Sequence, residues 1–520
     1  MSKIISFSKQ KQIDGINKVV DLMKITIGPR GKNVSLTNGN TVNDGRRIAE
    51  DIILKDPTEN KGAERVKRLV RKVSSDVGGG RTATAILYQE LIKVGMDLLN
   101  RGFNFNELKK GMQLAVKDIH EQLDKMSIPV KGKLKEIATI STESEKLGKV
   151  IAEVMEKIGR DGIATVEESN SFDITSEITE GLKFDKGFIS PYMITNNRQE
   201  AEYKDIPVLI TDKKLSFFRD LQPIYDSLIK ESELKKSKKD LMIIAEDLEG
   251  EALSVCVFAK LKGQFNTLAI KTPGIGDNKK FCLEDLCALT GAELWTEYLQ
   301  EPKLGKIKKV VSTKDSTIIL GGDVKTWITT LRVREEMTPN KWEKDQFQER
   351  IAKLQNGIAV IKVGASNEDE VKYLKLKIED GVNETKRALE SGIVMGGNTA
   401  FIHASKNIID WSKQIQPIQT HSQDEKLGYN IVFGAIEAPL RQIVENSRGK
   451  PDIVIDKIRK SKDLTTGYNS LDNTVVDDMY KLGIIDATKV VKTVLEYAVN
   501  EAILFLSIGG DVSEELEEND

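Results

Sequence analysis

Cysteine is scarce in this 520-residue sequence, which has only Cys256, Cys282 and Cys287. An odd, small number in so long a chain argues against a disulfide framework and for a reducing compartment. Cys282 and Cys287 are five apart and lack the CxxC spacing of a zinc site, so all three read as buried free thiols. Histidine is equally scarce. His120, His403 and His421 form no metal or triad pattern and read as structural or surface residues. No excess of either charge is present: 78 Lys and Arg face 80 Asp and Glu, for a formal net charge of -2. That balance gives no electrostatic reason to expect nucleic acid or an anionic membrane as partner. Apolar runs such as AILFLSI at 502–508 are far too short to span a bilayer. The polar start MSKIISFSKQKQ has no apolar h-region, so no signal peptide is expected.

What remains is a long, heavily charged chain, 39% hydrophobic and 30% charged. About 150 residues per domain suggests two to four domains. Residues 1–125 read as helical: Ile13, Ile16, Val20 and Met23 recur at helical spacing, as do Val66, Leu69, Val70 and Val73. In the middle, IPVLITD (206–212), LMIIAED (241–247) and NTLAIKTP (266–273) read as buried strands. Helical patterns separate them, which is the order of an α/β unit. KESELKKSKKD (230–240) reads as a solvated helix end or loop, NKWEKDQFQERIAKLQNG (340–357) as an exposed helix and GIAVIKVG (357–364) as a strand. The C-terminal part returns to helix. A helical domain formed by both chain ends, carrying another domain between them, is the simplest account. The acidic end DVSEELEEND is expected to be disordered.

Three stretches could carry chemistry. TIGPRGKN (26–33) is either a helix-ending turn or a backbone cradle for an anion. VGGGRTAT (77–84) is either a flexible turn or a phosphate site at a helix N-terminus, with Thr82 and Thr84 offering hydroxyls. It is not a Walker A loop, because GxxxxGK[ST] is absent. The Asp-Gly pairs in NDG (43–45) and IEDG (378–381) read singly as turns.

Longer stretches join these signals. They include TIGPRGKNV (26–34), DGRRIAEDIIL (44–54), ENKGAERV (59–66), TISTESEKLGKVIAEVMEKIGRDGIATVEES (139–169) and FDKGFISPYMI (184–194). IIAEDLEGEAL (243–253), QERIAKLQNGIAVIKVGAS (348–366), APLRQIVEN (438–446), GYN (467–469) and GIIDATKV (483–490) follow in order. With them the chain resembles the group I chaperonins, of the GroEL type, along nearly its whole length. The resemblance implies a multidomain α and α/β fold. A helical equatorial domain would span 1–125 and 391–510, and a small α+β intermediate domain 126–180 and 359–390. An inserted α/β apical domain would span 181–358, with a tail at 511–520. It also implies cytoplasmic rings of seven subunits, single or double, non-native protein clients and a co-chaperonin lid, with neither nucleic acid nor membrane as partner.

The implied activity is ATP hydrolysis coupled to protein folding, with ATP and Mg2+ as cofactors and room for K+. On this resemblance, Asp44 and Asp380 carry hydrolysis, Asp44 also through magnesium. Thr26, Gly28, Pro29, Gly45, Gly79, Gly80, Arg81 and Thr82 hold phosphate and nucleotide, and Thr139, Ile140 and Ser141 line it. Gly396, Gly397 and Asp486 serve the ribose side, and Asn469 the base. Placing Asp380 on a hinge domain would make hydrolysis depend on closure. Clients would bind Phe188, Tyr192, Met193, Leu221, Tyr225, Leu253, Val257 and Phe258, with Gln222 replacing an apolar residue.

The departures lie at the loop. The family's GDGTTTAT is GGGRTAT here, one residue shorter, without the magnesium-holding aspartate. Gly80 and Arg81 stand for its first two threonines, and Asn43 for the lysine before the Asp-Gly pair. Either Arg81 faces the phosphates while Asp44 or Asp76 helps with the metal, or the site is impaired. The second account describes an ATP-independent holdase or structural ring. An α/β enzyme binding a dinucleotide is a poor third reading, because GxGxxG is absent.

Overall fold

Asp56 sets one of the long helices of the core. Its carboxylate accepts from the backbone N–H groups of Thr58 and Glu59 at the start of Pro57–Val77, where proline sacrifices no helical hydrogen bond. In this computed structural model the described residues are all except 1–2, 7–8, 38, 160–161, 170–172, 180, 197–198, 236–239, 275, 297–301, 323, 357, 366, 409–421 and 515–520. His421 therefore lies outside the described residues. Contacts group the chain into two compact units. One comprises 1–160, 170–172 and 363–520, and the other 161–169 and 173–362. Of the segments expected to form an intermediate domain, 126–160 and 363–390 group with the helical unit.

Glycines let the helices of the first unit meet backbone to backbone. A Cβ on Gly15, in Gln10–Lys24, would stand 1.9 Å from the Glu59 carbonyl oxygen, and one on Gly62 2.0 Å from that of Gln12. Phe105–Met126 and Gln423–Ala435 cross in the same way at Gly111 and Gly428. Arg81–Asn100 buries Leu87, Leu91 and Ile92. Each such side chain contributes roughly 1.5–3 kcal/mol by leaving water.

The chain ends pair: Lys3–Ser6 runs antiparallel to Asp511–Glu514, with Lys3 opposite Glu514 and Ile5 opposite Val512. This corrects the expectation of a disordered tail over its first four residues. The strand finds its partner at the other end of the chain, which local composition cannot reveal. Residues 515–520 lie outside the described residues.

The second unit carries a six-stranded sheet in the order Asn266–Lys271, Asp240–Ala245, Ala201–Ile210, Gly305–Ser312, Thr317–Leu320, Gly181–Phe184. The first three are parallel and are connected through the helices Gln222–Lys235 and Gly250–Leu261. The others pair antiparallel. Asp240–Ala245 is buried at every position, which is why its residues 241–245, LMIIA, read as an unbroken apolar run. The exposed helix expected at 340–357 is Lys341–Asn356, and the strand expected after it is Ile358–Val363. The charged stretch at 230–240 continues the helix to Lys235, and 236–239 lie outside the described residues.

Four of the residues expected on a client surface are core. Phe188, Met193, Leu221 and Tyr225 are buried in the cluster around this sheet. The Tyr225 hydroxyl lies 2.6 Å from Thr267 Oγ1 and 3.2 Å from Cys256 Sγ, and its ring meets Phe265 edge-on. The expectation is corrected there: helical spacing marks an apolar face without saying whether that face meets the sheet or water. Leu253 and Val257 are half-buried, while Tyr192 and Phe258 are exposed. Phe217 and Leu261 are exposed as well; Leu261 ends Gly250–Leu261, against which the turns Pro191–Met193 and Phe218–Asp220 pack. Of the thiols, Cys256 is buried, whereas Cys282 and Cys287 are half-buried, a second correction.

Candidate functional site

The three glycines of VGGGRTAT each answer a different demand. Gly78 ends Pro57–Val77 at a φ of 82°, and Gly80 starts Arg81–Asn100 at 77°, both in the region that favours glycine. The space a Gly79 side chain would take is filled by Glu384, whose Oε1 lies 1.3 Å from where a Cβ would stand. Gly80 offers no side-chain cap, so the first N–H groups of the 20-residue helix stand uncapped by any side chain at the positive end of its dipole. An anion is the ordinary occupant of such a place. The Thr84 hydroxyl turns back to the Gly80 carbonyl at 2.9 Å, whereas Thr82 lies on the cleft that the loop borders.

That cleft encloses about 640 Å³ within the helical unit. Thr26, Gly28, Pro29, Asp44, Gly45, Gly79, Gly80, Arg81, Thr82, Thr139, Ile140, Ser141, Gly396, Gly397, Asn469 and Asp486 all line it. Asp380 does not. The turn at 26–31 is held by Asn446, whose side-chain amide donates to the carbonyls of Lys24 and Ile27 at 3.0 and 2.9 Å. Gly28 turns there at a φ of 84°. The Thr139 hydroxyl is buried without a hydrogen-bond partner, an orphaned polar atom of the kind a ligand satisfies.

Arg81 is the electrostatic centre. Its guanidinium reaches Asp44 Oδ2 at 2.9 Å and Asp380 Oδ2 at 2.9 Å. The three side chains are only 12–15% exposed. Burial works against the charged guanidinium, but Asp44 and Asp380 outweigh it and raise the Arg81 pKa. Burial also works to raise the Asp44 carboxyl. Arg81, the Arg47 backbone N–H at 2.9 Å, Lys377 and Arg47 together hold it below its ordinary value. For Asp380, burial prevails over Arg81 and, with Asp44 adding to it, leaves the carboxyl raised.

Two further carboxyls face the cleft. Asp486 accepts from the backbone N–H groups of Asn398 and Gly397, yet burial pushes it up to about 6. Glu384 keeps an edge on the cleft and is hydrogen-bonded to Ser141. Burial, then Asp486 and Asp380, push it up to about 8 against Arg81 and Ser141. Asn469 is engaged locally, donating to Asp472 at 2.7 Å and accepting from the Leu471 N–H at 3.0 Å.

The metal role considered for Asp76 is corrected. Asp76 lies off the cleft, where it accepts from the Tyr497 hydroxyl and its carbonyl accepts from Arg387. Sequence reasoning missed Glu384 and Lys377, which pairs with Glu143 at 2.9 Å. Both flank Asp380 at helical spacing within Glu368–Ser391, so one helix face would have pointed to them. A family model described as the TCP-1/cpn60 chaperonin family matches residues 19–510.

Proposed function

Because the chain belongs to the TCP-1/cpn60 chaperonin family, whose members assist protein folding, we propose that it is an ATP-driven chaperonin subunit. It captures non-native proteins, encloses them and releases them. The same reading makes it part of a seven-membered ring in the cytoplasm, working with a co-chaperonin lid. The observation that carries it is the cleft, where distant segments converge on an uncapped helix N-terminus. The exposed Tyr192, Phe217, Phe258 and Leu261, on Gly250–Leu261 and the turns near it, support client capture, since exposed apolar side chains offer binding surface.

In this reading the phosphates lie at the N-terminus of Arg81–Asn100, the ribose near Asp486 and the base near Asn469. Phosphate competes with the carboxylates for Arg81, whose planar fork suits phosphate oxygens. Once Arg81 turns to the nucleotide, Asp44 and Asp380 are released. Asp380 then orients the attacking water and takes its proton, while the water oxygen bonds the γ-phosphorus and the bond to ADP breaks. Its raised carboxyl suits that task. Asp44 fits magnesium, because it faces the cleft and a nucleotide-bound magnesium needs few protein carboxylates. Among the described residues no group of three or more His, Cys, Asp or Glu could hold a metal alone. Bound with nucleotide, the ion would neutralise charge developing on the phosphates.

The double ion pair of Arg81 also favours a second reading, a ring that holds clients without turnover. Dilution of a chemically denatured enzyme into the purified protein separates the two. Recovery of enzyme activity that requires ATP supports the first. Capture, with release indifferent to ATP, supports the second.

A further inference from the structure

We propose that Glu384 contacts the nucleotide itself, donating a hydrogen bond to a phosphate oxygen from the position a loop side chain would occupy. This rests on the nucleotide reading of the cleft. Lys377, Asp380 and Glu384 share one face of Glu368–Ser391. That face brings the Glu384 carboxyl over Gly79, within 1.3 Å of where a Cβ on that residue would stand. The loop offers Gly80 and Arg81 where threonines would present hydroxyls to phosphate, and the Glu384 carboxyl arrives from another helix beside them, at Gly79.

The surroundings decide which acid keeps a proton. Asp380 shares Arg81 with Asp44, Asp486 accepts two backbone N–H groups, and Lys377 is paired with Glu143. Glu384 is hydrogen-bonded to Ser141, with Asp486 and Asp380 near it and Arg81 already shared. Like charges this close do not all ionise. A neutral carboxyl carries an O–H donor, which a phosphate accepts, whereas an ionised one would repel the phosphate.

Calorimetric titration of the full-length protein with ADP, and with adenosine as the phosphate-free control, tests this at about pH 7 and about pH 9. Across that window the rise in pH takes Glu384, pushed up to about 8, from neutral towards ionised, and the Glu384 variants isolate its share. A donor lost on ionisation predicts ADP affinity falling about tenfold as pH rises. Glu384→Gln keeps a donor at both values and should bind ADP without that fall. Glu384→Ala should bind ADP about tenfold more weakly at neutral pH, with adenosine unchanged. ADP affinity unaltered by Glu384→Ala, or the same pH dependence in Glu384→Gln, would overturn the proposal. If the alanine variant misfolds, the glutamine comparison decides alone. No ADP binding by the wild-type protein would overturn the nucleotide reading and this inference together.

Discussion

Arg81→Met would strand two carboxylates whose side chains are 12% and 13% exposed, Asp44 and Asp380. Removing one partner of a buried ion pair costs about 3–5 kcal/mol, because the remaining charge is neither solvated nor matched. Here one substitution unmatches two. Their other contacts are modest: Asp44 keeps the Arg47 N–H, and both keep the influence of Lys377. A loss of about 3–5 kcal/mol at neutral pH is therefore expected. Without Arg81, the already raised Asp380 carboxyl is pushed up further, and Asp44 loses the strongest of the groups that hold it down, so that burial raises it too. For an acid so raised, folding opposes ionisation, so the penalty is full at neutral pH and fades as pH falls through the folded value. Urea denaturation followed by far-UV circular dichroism at about pH 7 and about pH 5 measures both effects. Asp380→Asn in the Arg81→Met background removes one stranded charge and should restore part of the loss. A loss below about 1 kcal/mol, the scale of a surface pair, would refute the reasoning. So would a loss that neither acid nor Asp380→Asn reduces.

Three further outcomes follow from the geometry. Gly428→Ala places a Cβ 2.0 Å from the Leu108 carbonyl oxygen, which is backbone and cannot swing aside. It should lower stability in thermal denaturation by about 1–3 kcal/mol. Tyr225→Phe removes the hydroxyl that meets Thr267 and should cost about 1 kcal/mol in the same assay. Phe258→Ser with Leu261→Ser alters exposed side chains, so stability should stay within about 0.5 kcal/mol while capture of a denatured client falls.

The strands of the central block were legible because LMIIA and its neighbours are buried on both faces, leaving continuous apolar runs. The cleft was legible wherever a residue type is imposed locally, as at Gly28, Gly78 and Gly80 with their positive φ angles. What stayed hidden depends on which faces meet. Glu384 and Gly79 are far apart in sequence, and nothing local says that one fills the other's side-chain space. Tyr225 and Phe258 are both aromatic residues on helices of the same unit, yet one faces the sheet and the other water. The arginine in the loop was visible, but its grip on Asp380 needed the fold.

Steady-state ATP hydrolysis with magnesium by the wild-type protein and by Asp380→Ala tests the central claim most directly. An acid that orients and deprotonates the attacking water contributes about 10²–10⁴-fold. Wild-type turnover that falls by at least about a hundredfold in Asp380→Ala, with nucleotide affinity retained, is the predicted result. Equal turnover in the two proteins would contradict the role given to Asp380. Nucleotide binding without turnover in the wild type would contradict the ATP-driven account and leave the holding ring in its place.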